Sequence, residues 1–127
     1  ELFHAFEHFV WVGFYRAVDA TTLKIGPYQG THGCMTIPFD KGVCGACART
    51  RQLQLVNDIS QAPHHIACCS TTQSELVVPV LDAQGALIAV LDIDSNHLNA
   101  FDESDARFLE QVAGLCAQAD GGHAARP

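Results

Sequence analysis

The sequence predicts an α+β domain in which helices pack against an antiparallel β-sheet. Three observations carry that reading. Runs rich in β-branched and aromatic residues, such as Val10 to Val18 and Glu75 to Leu81, are bounded by turn residues, as strands are. These runs come in neighbouring pairs, which read as hairpins rather than as the helix-linked strands of a parallel sheet. Towards the C-terminal end lies one segment with helical periodicity. The 127 residues, 48% hydrophobic and 17% charged, suffice for one core and a single domain spanning 1–127.

Residues 1–9 read as the end of a helix striped by Phe3, Phe6 and Phe9, so the first helix is expected to be cut short. Val10 to Val18 is the first strand, Asp19-Ala20-Thr21-Thr22 a turn, and Leu23 to Gln29 the returning arm. A glycine-punctuated loop, Gly30 to Gly33, leaves Cys34 at the start of a short extended segment ending at Pro38. Alanine density and the Val43/Cys47 pair at i, i+4 predict a short helix from Gly42 to Arg49. Leu53 to Val56 is a brief strand. Asn57 to Gln73 is a long irregular loop, of the length that usually carries function in a small domain.

Glu75–Leu81 and Ala86–Asp94 flank Asp82-Ala83-Gln84-Gly85 as a second hairpin. Asp102 suits the N-cap of a last helix with Phe108, Leu109, Val112, Leu115 and Cys116 on one face. The Gly/Ala-rich segment 120–127 is expected to fray.

Seven Lys and Arg stand against fourteen Asp and Glu, for a net charge of −7. That balance argues against nucleic acid, whose phosphates require clustered cations. No apolar run reaches the ~18–20 residues of a membrane span. Six irregularly spaced cysteines in a chain with no visible signal peptide predict thiol chemistry in the cytoplasm rather than a secreted disulfide scaffold.

Chemistry gathers in the long loop and the second hairpin. His64, His65, Cys68 and Cys69 lie at the mouth of the apolar strand opened by Glu75, and the paired strand ends in Asp92-Ile93-Asp94. If Asp82 and Gly85 close a two-residue turn, Leu81 faces Ala86, Glu75 falls opposite Asp92, and three carboxylates share one wall. Like charges that close raise at least one pKa and keep a proton available. A one-residue bulge would move the pairing and undo the arrangement.

Among the cysteines, Cys116 and Cys47 read as small buried hydrophobes. Cys44, in the first turn of its helix, is expected to have its thiolate favoured by the helix dipole and free amides. A zinc module built from His64, His65, Cys68 and Cys69 with Cys44 and Cys47 is the weaker reading, because adjacent cysteines chelate awkwardly. No metal or organic cofactor is assigned.

Trp11-Val12-Gly13-Phe14-Tyr15, Gly26-Pro27-Tyr28-Gln29-Gly30, Cys34 before Ile37-Pro38-Phe39, Gly42-Val43-Cys44-Gly45, His65-Ile66-Ala67-Cys68, Ser74-Glu75 and Leu91-Asp92-Ile93-Asp94-Ser95 follow one another in a known order. From about Phe9 to Ala119 the chain resembles the free methionine-(R)-sulfoxide reductases, catalytic members of the GAF-domain fold. The resemblance implies a GAF-like antiparallel sheet with flanking helices. It implies free L-methionine (R)-sulfoxide as substrate, a thioredoxin-type reductant and dimer contacts that make a homodimer. By motif, Cys68 is the nucleophile, Cys34 the principal resolving cysteine and Cys44 a third redox thiol. Glu75, Asp92 and Asp94 would hold the sulfoxide and amino groups. Trp11 and Tyr15 would line the pocket around the methyl group, with Ile66 and Ala67 beside the substrate. Two positions depart from the pattern: Cys69 replaces the usual Asp after the nucleophile, and His64 a common glycine.

The chemistry that this implies is coherent. A sulfoxide sulfur becomes electrophilic when its oxygen is protonated, a thiolate attacks it, and the resulting sulfenic acid condenses with a second thiol. The rival is a GAF sensor domain that binds a small ligand such as a cyclic nucleotide, with incidental cysteines.

Overall fold

The computed structural model describes residues 9–30, 33–61 and 71–124. Six strands form one antiparallel sheet: β1 (Phe9–Ala17), β2 (Thr22–Gly30), β3 (Thr36–Pro38), β4 (Gln54–Val56), β5 (Ser74–Leu81) and β6 (Leu87–Ser95). Their spatial order is β3-β2-β1-β6-β5-β4, so the first and last strands are neighbours at the centre. Helix α1 (Gly42–Thr50) links β3 to β4, and helix α2 (Glu103–Ala124) follows β6. The fold class is the α+β one expected from the sequence.

Each face of the sheet has its own core. On one, Trp11, Tyr15, Val77 and Val90 pack against Val43, Cys44, Cys47 and Ala48 of α1. On the other, Leu76, Val78, Leu91 and Ile93 pack against Ala106, Leu109 and Ala113 of α2. The alternation follows from strand geometry, in which successive side chains point to opposite faces. Because both faces are covered, β5 and β6 read as nearly continuous apolar runs rather than as alternating ones.

Helix α2 begins as its sequence dictates. The Asp105 amide donates to Asp102 Oδ1 at 3.0 Å and the Asp102 amide donates to Asp105 Oδ2 at 2.9 Å, a reciprocal capping box. Its inward stripe differs from the expected one. Phe108 and Leu115 are 52% and 66% exposed, while Ala106, Leu109 and Ala113 are buried. Small residues at 106 and 113 let the helix lie close on the sheet, which turns the larger side chains outward. Val112 and Cys116 are half-buried against the same core, and Cys47 is fully buried in the other. No helix among the described residues is long and apolar enough to cross a membrane.

Candidate active site

The face of the sheet beneath α1 carries two adjacent rows of residues that each cross five strands. One row runs Val56, Glu75, Asp94, Trp11, Gly30, and the next runs Gln54, Val77, Asp92, Gly13, Tyr28. Glu75, Asp92 and Asp94 therefore share one face, as the sequence led us to expect.

The pairing itself differs. Glu75 lies opposite Asp94, and Asp92 lies opposite Val77. At the end of the hairpin Leu81 pairs with Leu87 rather than Ala86, and a bulge between Val80 and Leu81 adds a second one-residue shift. Two shifts of one residue restore the parity of the strand, so the carboxylates keep their face while changing partners.

Burial and mutual repulsion dominate the electrostatics. Asp92 is 2% exposed, and its carboxyl lies close to the side chains of both Glu75 and Asp94. Desolvation, reinforced by the charges of Asp94 and Glu75, pushes its pKa well above the usual carboxylate range. Carboxyl groups this close do not all ionise together, and burial favours the protonated form at Asp92. Its Oδ1 is buried with no hydrogen-bond partner among the described residues.

Cys44 joins this cluster from α1. Its Sγ donates to Glu75 Oε2 at 3.8 Å, and single ligand-type atoms of Cys44, Glu75 and Asp92 all lie within 4.8 Å of one another. The expected stabilisation of its thiolate is overturned: burial first, then Asp92 and Glu75, push the thiol well above its ordinary value. A helix N-terminus contributes only about 0.3–1 kcal/mol at an exposed site, too little to offset burial beside carboxylates. Cys47, one turn on, is pushed up to about 12, chiefly by burial.

Beside the carboxylates stands a stack of three rings. Trp11 stacks on Tyr15, centroids 5.3 Å apart, and on Tyr28, at 5.4 Å. The stack needs Gly13, since a Cβ there would fall 2.7 Å from Trp11 Cη2 and 2.4 Å from Tyr28 Cβ. Our reading of the sequence gives Tyr28 and Gly13 no role. The available signal was the period-2 spacing of Trp11, Gly13 and Tyr15, which puts a gap between two rings on one face. Tyr15 is buried, and desolvation followed by the charges of Cys44, Asp92, Asp94 and Glu75 raises its pKa, so its hydroxyl remains a donor. That hydroxyl donates to the Cys34 carbonyl at 3.0 Å.

Cys34 is disulfide-bonded, whereas Cys44, Cys47 and Cys116 are free. Ile66, Ala67, Cys68, Cys69, His64 and His65 lie outside the described residues. The structure thus brings together Trp11, Tyr15, Cys44, Glu75, Asp92 and Asp94, with Cys34 hydrogen-bonded to the edge of the group.

Comparison with known proteins gives this geometry a family. A family model described as GAF domain matches residues 1–119. Free methionine-R-sulfoxide reductase of Saccharomyces cerevisiae is 45% identical over 107 residues, covering 83% of this chain and 59% of that protein. The Escherichia coli protein of the same name is 39% identical over 102 residues, covering 80% of this chain and 61% of its own length. The chain thus spans about three-fifths of these two relatives. The X-ray structure of free methionine-R-sulfoxide reductase from Neisseria meningitidis in complex with its substrate superposes with a TM-score of 0.85. It is 44% identical, and the match covers 92% of this chain and 70% of that one. The chain belongs to the GAF-domain family, within the branch of the free methionine-R-sulfoxide reductases.

Proposed function

We propose that this protein reduces free L-methionine (R)-S-oxide to methionine, with Cys68 as nucleophile and a thioredoxin-type dithiol as final reductant. The observation that carries the reading is the cluster of Glu75, Asp92 and Asp94 on one face of the sheet, with Asp92 buried and its pKa raised, set beside the Trp11 stack and close to Cys44. The named relatives support the substrate.

In the proposed reaction the carboxyl trio donates its proton to the sulfoxide oxygen as the Cys68 thiolate attacks sulfur. The oxygen passes to Cys68 Sγ as the sulfoxide sulfur–oxygen bond and the transient sulfur–sulfur bond break, so methionine leaves with two electrons gained and Cys68 is left as sulfenic acid. A second thiol displaces that oxygen as water and forms a disulfide. The external dithiol then exchanges with the disulfide and is itself oxidised. Cys34 is the better candidate for the second thiol, because it is already disulfide-bonded while Cys44 is a buried free thiol that resists ionisation. This assigns Cys44 to hydrogen bonding Glu75 rather than to exchange.

Peptide mapping after one equivalent of substrate tests the pairing. The expected product is a Cys34–Cys68 bridge. Recovery of Cys68 joined only to Cys69 or Cys44 would remove Cys34 from the mechanism.

The charged ammonium and carboxylate groups of a free amino acid need fixed partners, and in this reading Glu75 and Asp94 hold the ammonium group. Assays with separated epimers should therefore show turnover of the free R sulfoxide. The S epimer, and methionine sulfoxide within a peptide, should be reduced at least about 10²-fold more slowly, as expected when buried polar groups lose their partners. Equal rates on a peptide would refute the assignment.

A further inference from the structure

The trio of Cys44, Glu75 and Asp92 is arranged as ligands are around a soft divalent cation. Three separate elements, α1, β5 and β6, each contribute one donor atom, and these atoms lie within 4.8 Å of one another. The 3.8 Å between Cys44 Sγ and Glu75 Oε2 is a few tenths of an ångström from the ~3.5 Å that tetrahedral zinc imposes between sulfur and oxygen. A second observation points to a ligand. Asp92 is 2% exposed, and its Oδ1 is buried with no hydrogen-bond partner among the described residues. Nor does a lysine or arginine among them pair with Glu75 or Asp92, since the ion pair found is Arg107 with Glu103 on α2. A buried carboxylate oxygen left without a partner is costly, and a cation between the three donors would satisfy it.

We infer that the reduced protein binds Zn2+ through Cys44 Sγ and one oxygen each of Glu75 and Asp92. The thiolate selects zinc over magnesium, which favours six oxygen ligands in octahedral geometry. Three protein ligands leave a fourth position for water, as in an open zinc site. The ion is an inhibitor here, not a cofactor, because it occupies the carboxylates that hold the proton and the substrate. This last step rests on the reductase reading, whereas the binding does not.

Cobalt is the probe that separates the two. Co2+ is titrated anaerobically into reduced, metal-free protein, with a phosphine in place of chelating dithiols. The expected result is a thiolate-to-cobalt charge-transfer absorption at one equivalent, displaced by Zn2+ and unaffected by excess Mg2+. Cys44→Ser should abolish that absorption, while Cys68→Ser and Cys69→Ser should retain it. Asp92→Asn, which keeps the shape of the site, should weaken Co2+ binding by at least about 10-fold. An absorption that survives Cys44→Ser but disappears in Cys68→Ser would place the metal at Cys68 and overturn the inference. So would undiminished affinity in Asp92→Asn, or no absorption in the wild type. Turnover assays with added Zn2+ then read inhibition, reversed by a chelator. If the protein has no reductase turnover, the functional reading fails while the cobalt spectrum still decides the site.

Discussion

Cys68→Ser is expected to leave the protein folded and its reductase turnover lower by ~10⁴-fold or more, the scale of loss when a covalent nucleophile is removed. A serine hydroxyl is far less nucleophilic towards sulfur, and none of the free cysteines among the described residues is equipped to replace Cys68. Cys44 and Cys47 are buried and resist ionisation, and half-buried Cys116 sits on the opposite face of the sheet. Cys34→Ser should behave differently. Its chemical step survives, so one methionine per chain forms in a single turnover, and recycling by a thioredoxin-type reductant then fails. Multiple-turnover activity in Cys68→Ser would show that the nucleophile lies elsewhere. Full recycling by Cys34→Ser would show that another thiol resolves the sulfenic acid.

Asp92→Asn is expected to make the protein less active and more stable. Turnover should fall by about 10²–10⁴-fold, as when a general acid is lost. Asp94→Asn should cost a similar factor, and the double variant little more than either single one. The neighbouring carboxyls titrate as one coupled group, so their effects do not add.

The sign of the stability change follows from the raised pKa of Asp92. Below about pH 3.9 the side chain is protonated in folded and unfolded chains alike. Above that value the unfolded chain releases the proton while the folded chain retains it. Wild-type stability therefore falls as pH rises, until the folded carboxyl ionises in turn. Asparagine carries no such loss, and its amide can still donate to Glu75. Urea unfolding should show a gain of about 1–3 kcal/mol near pH 8, shrinking towards pH 4. A gain independent of pH would mean that Asp92 is not the protonated group, and normal turnover would mean that the proton comes from elsewhere.

Much of this arrangement was legible in the chain itself, for identifiable reasons. Strand periodicity put Asp92 and Asp94 on one face, and that conclusion survived a wrong register because only parity mattered. The turn around Gly85 and the bulge at Val80 were not legible. Each depends on backbone angles, such as the positive φ of Gly85 at 81°, that composition does not fix. The behaviour of Cys44 was misread because a local rule, the helix terminus, was applied without the neighbours that β5 and β6 supply. The exposure of Phe108 and Leu115 was hidden for a similar reason. Periodicity locates an apolar stripe on a helix, but the distance to the sheet decides which edge of it faces inward. Tyr28 was missed because its partner, Trp11, sits on another strand.

The ring stack has a practical consequence. Trp11 is the chain's only tryptophan, and it is 2% exposed. All indole fluorescence from this protein therefore originates at the candidate site, from a ring shielded from water and hence emitting towards the blue. Trp11 sits beside Asp94 in the sheet and stacks on Tyr15, whose hydroxyl holds the carbonyl of disulfide-bonded Cys34. A ligand arriving at the carboxylates and a disulfide opening at Cys34 each change the field around the same fluorophore. The chain carries its own optical gauge of occupancy and oxidation state, readable in stopped flow without a label.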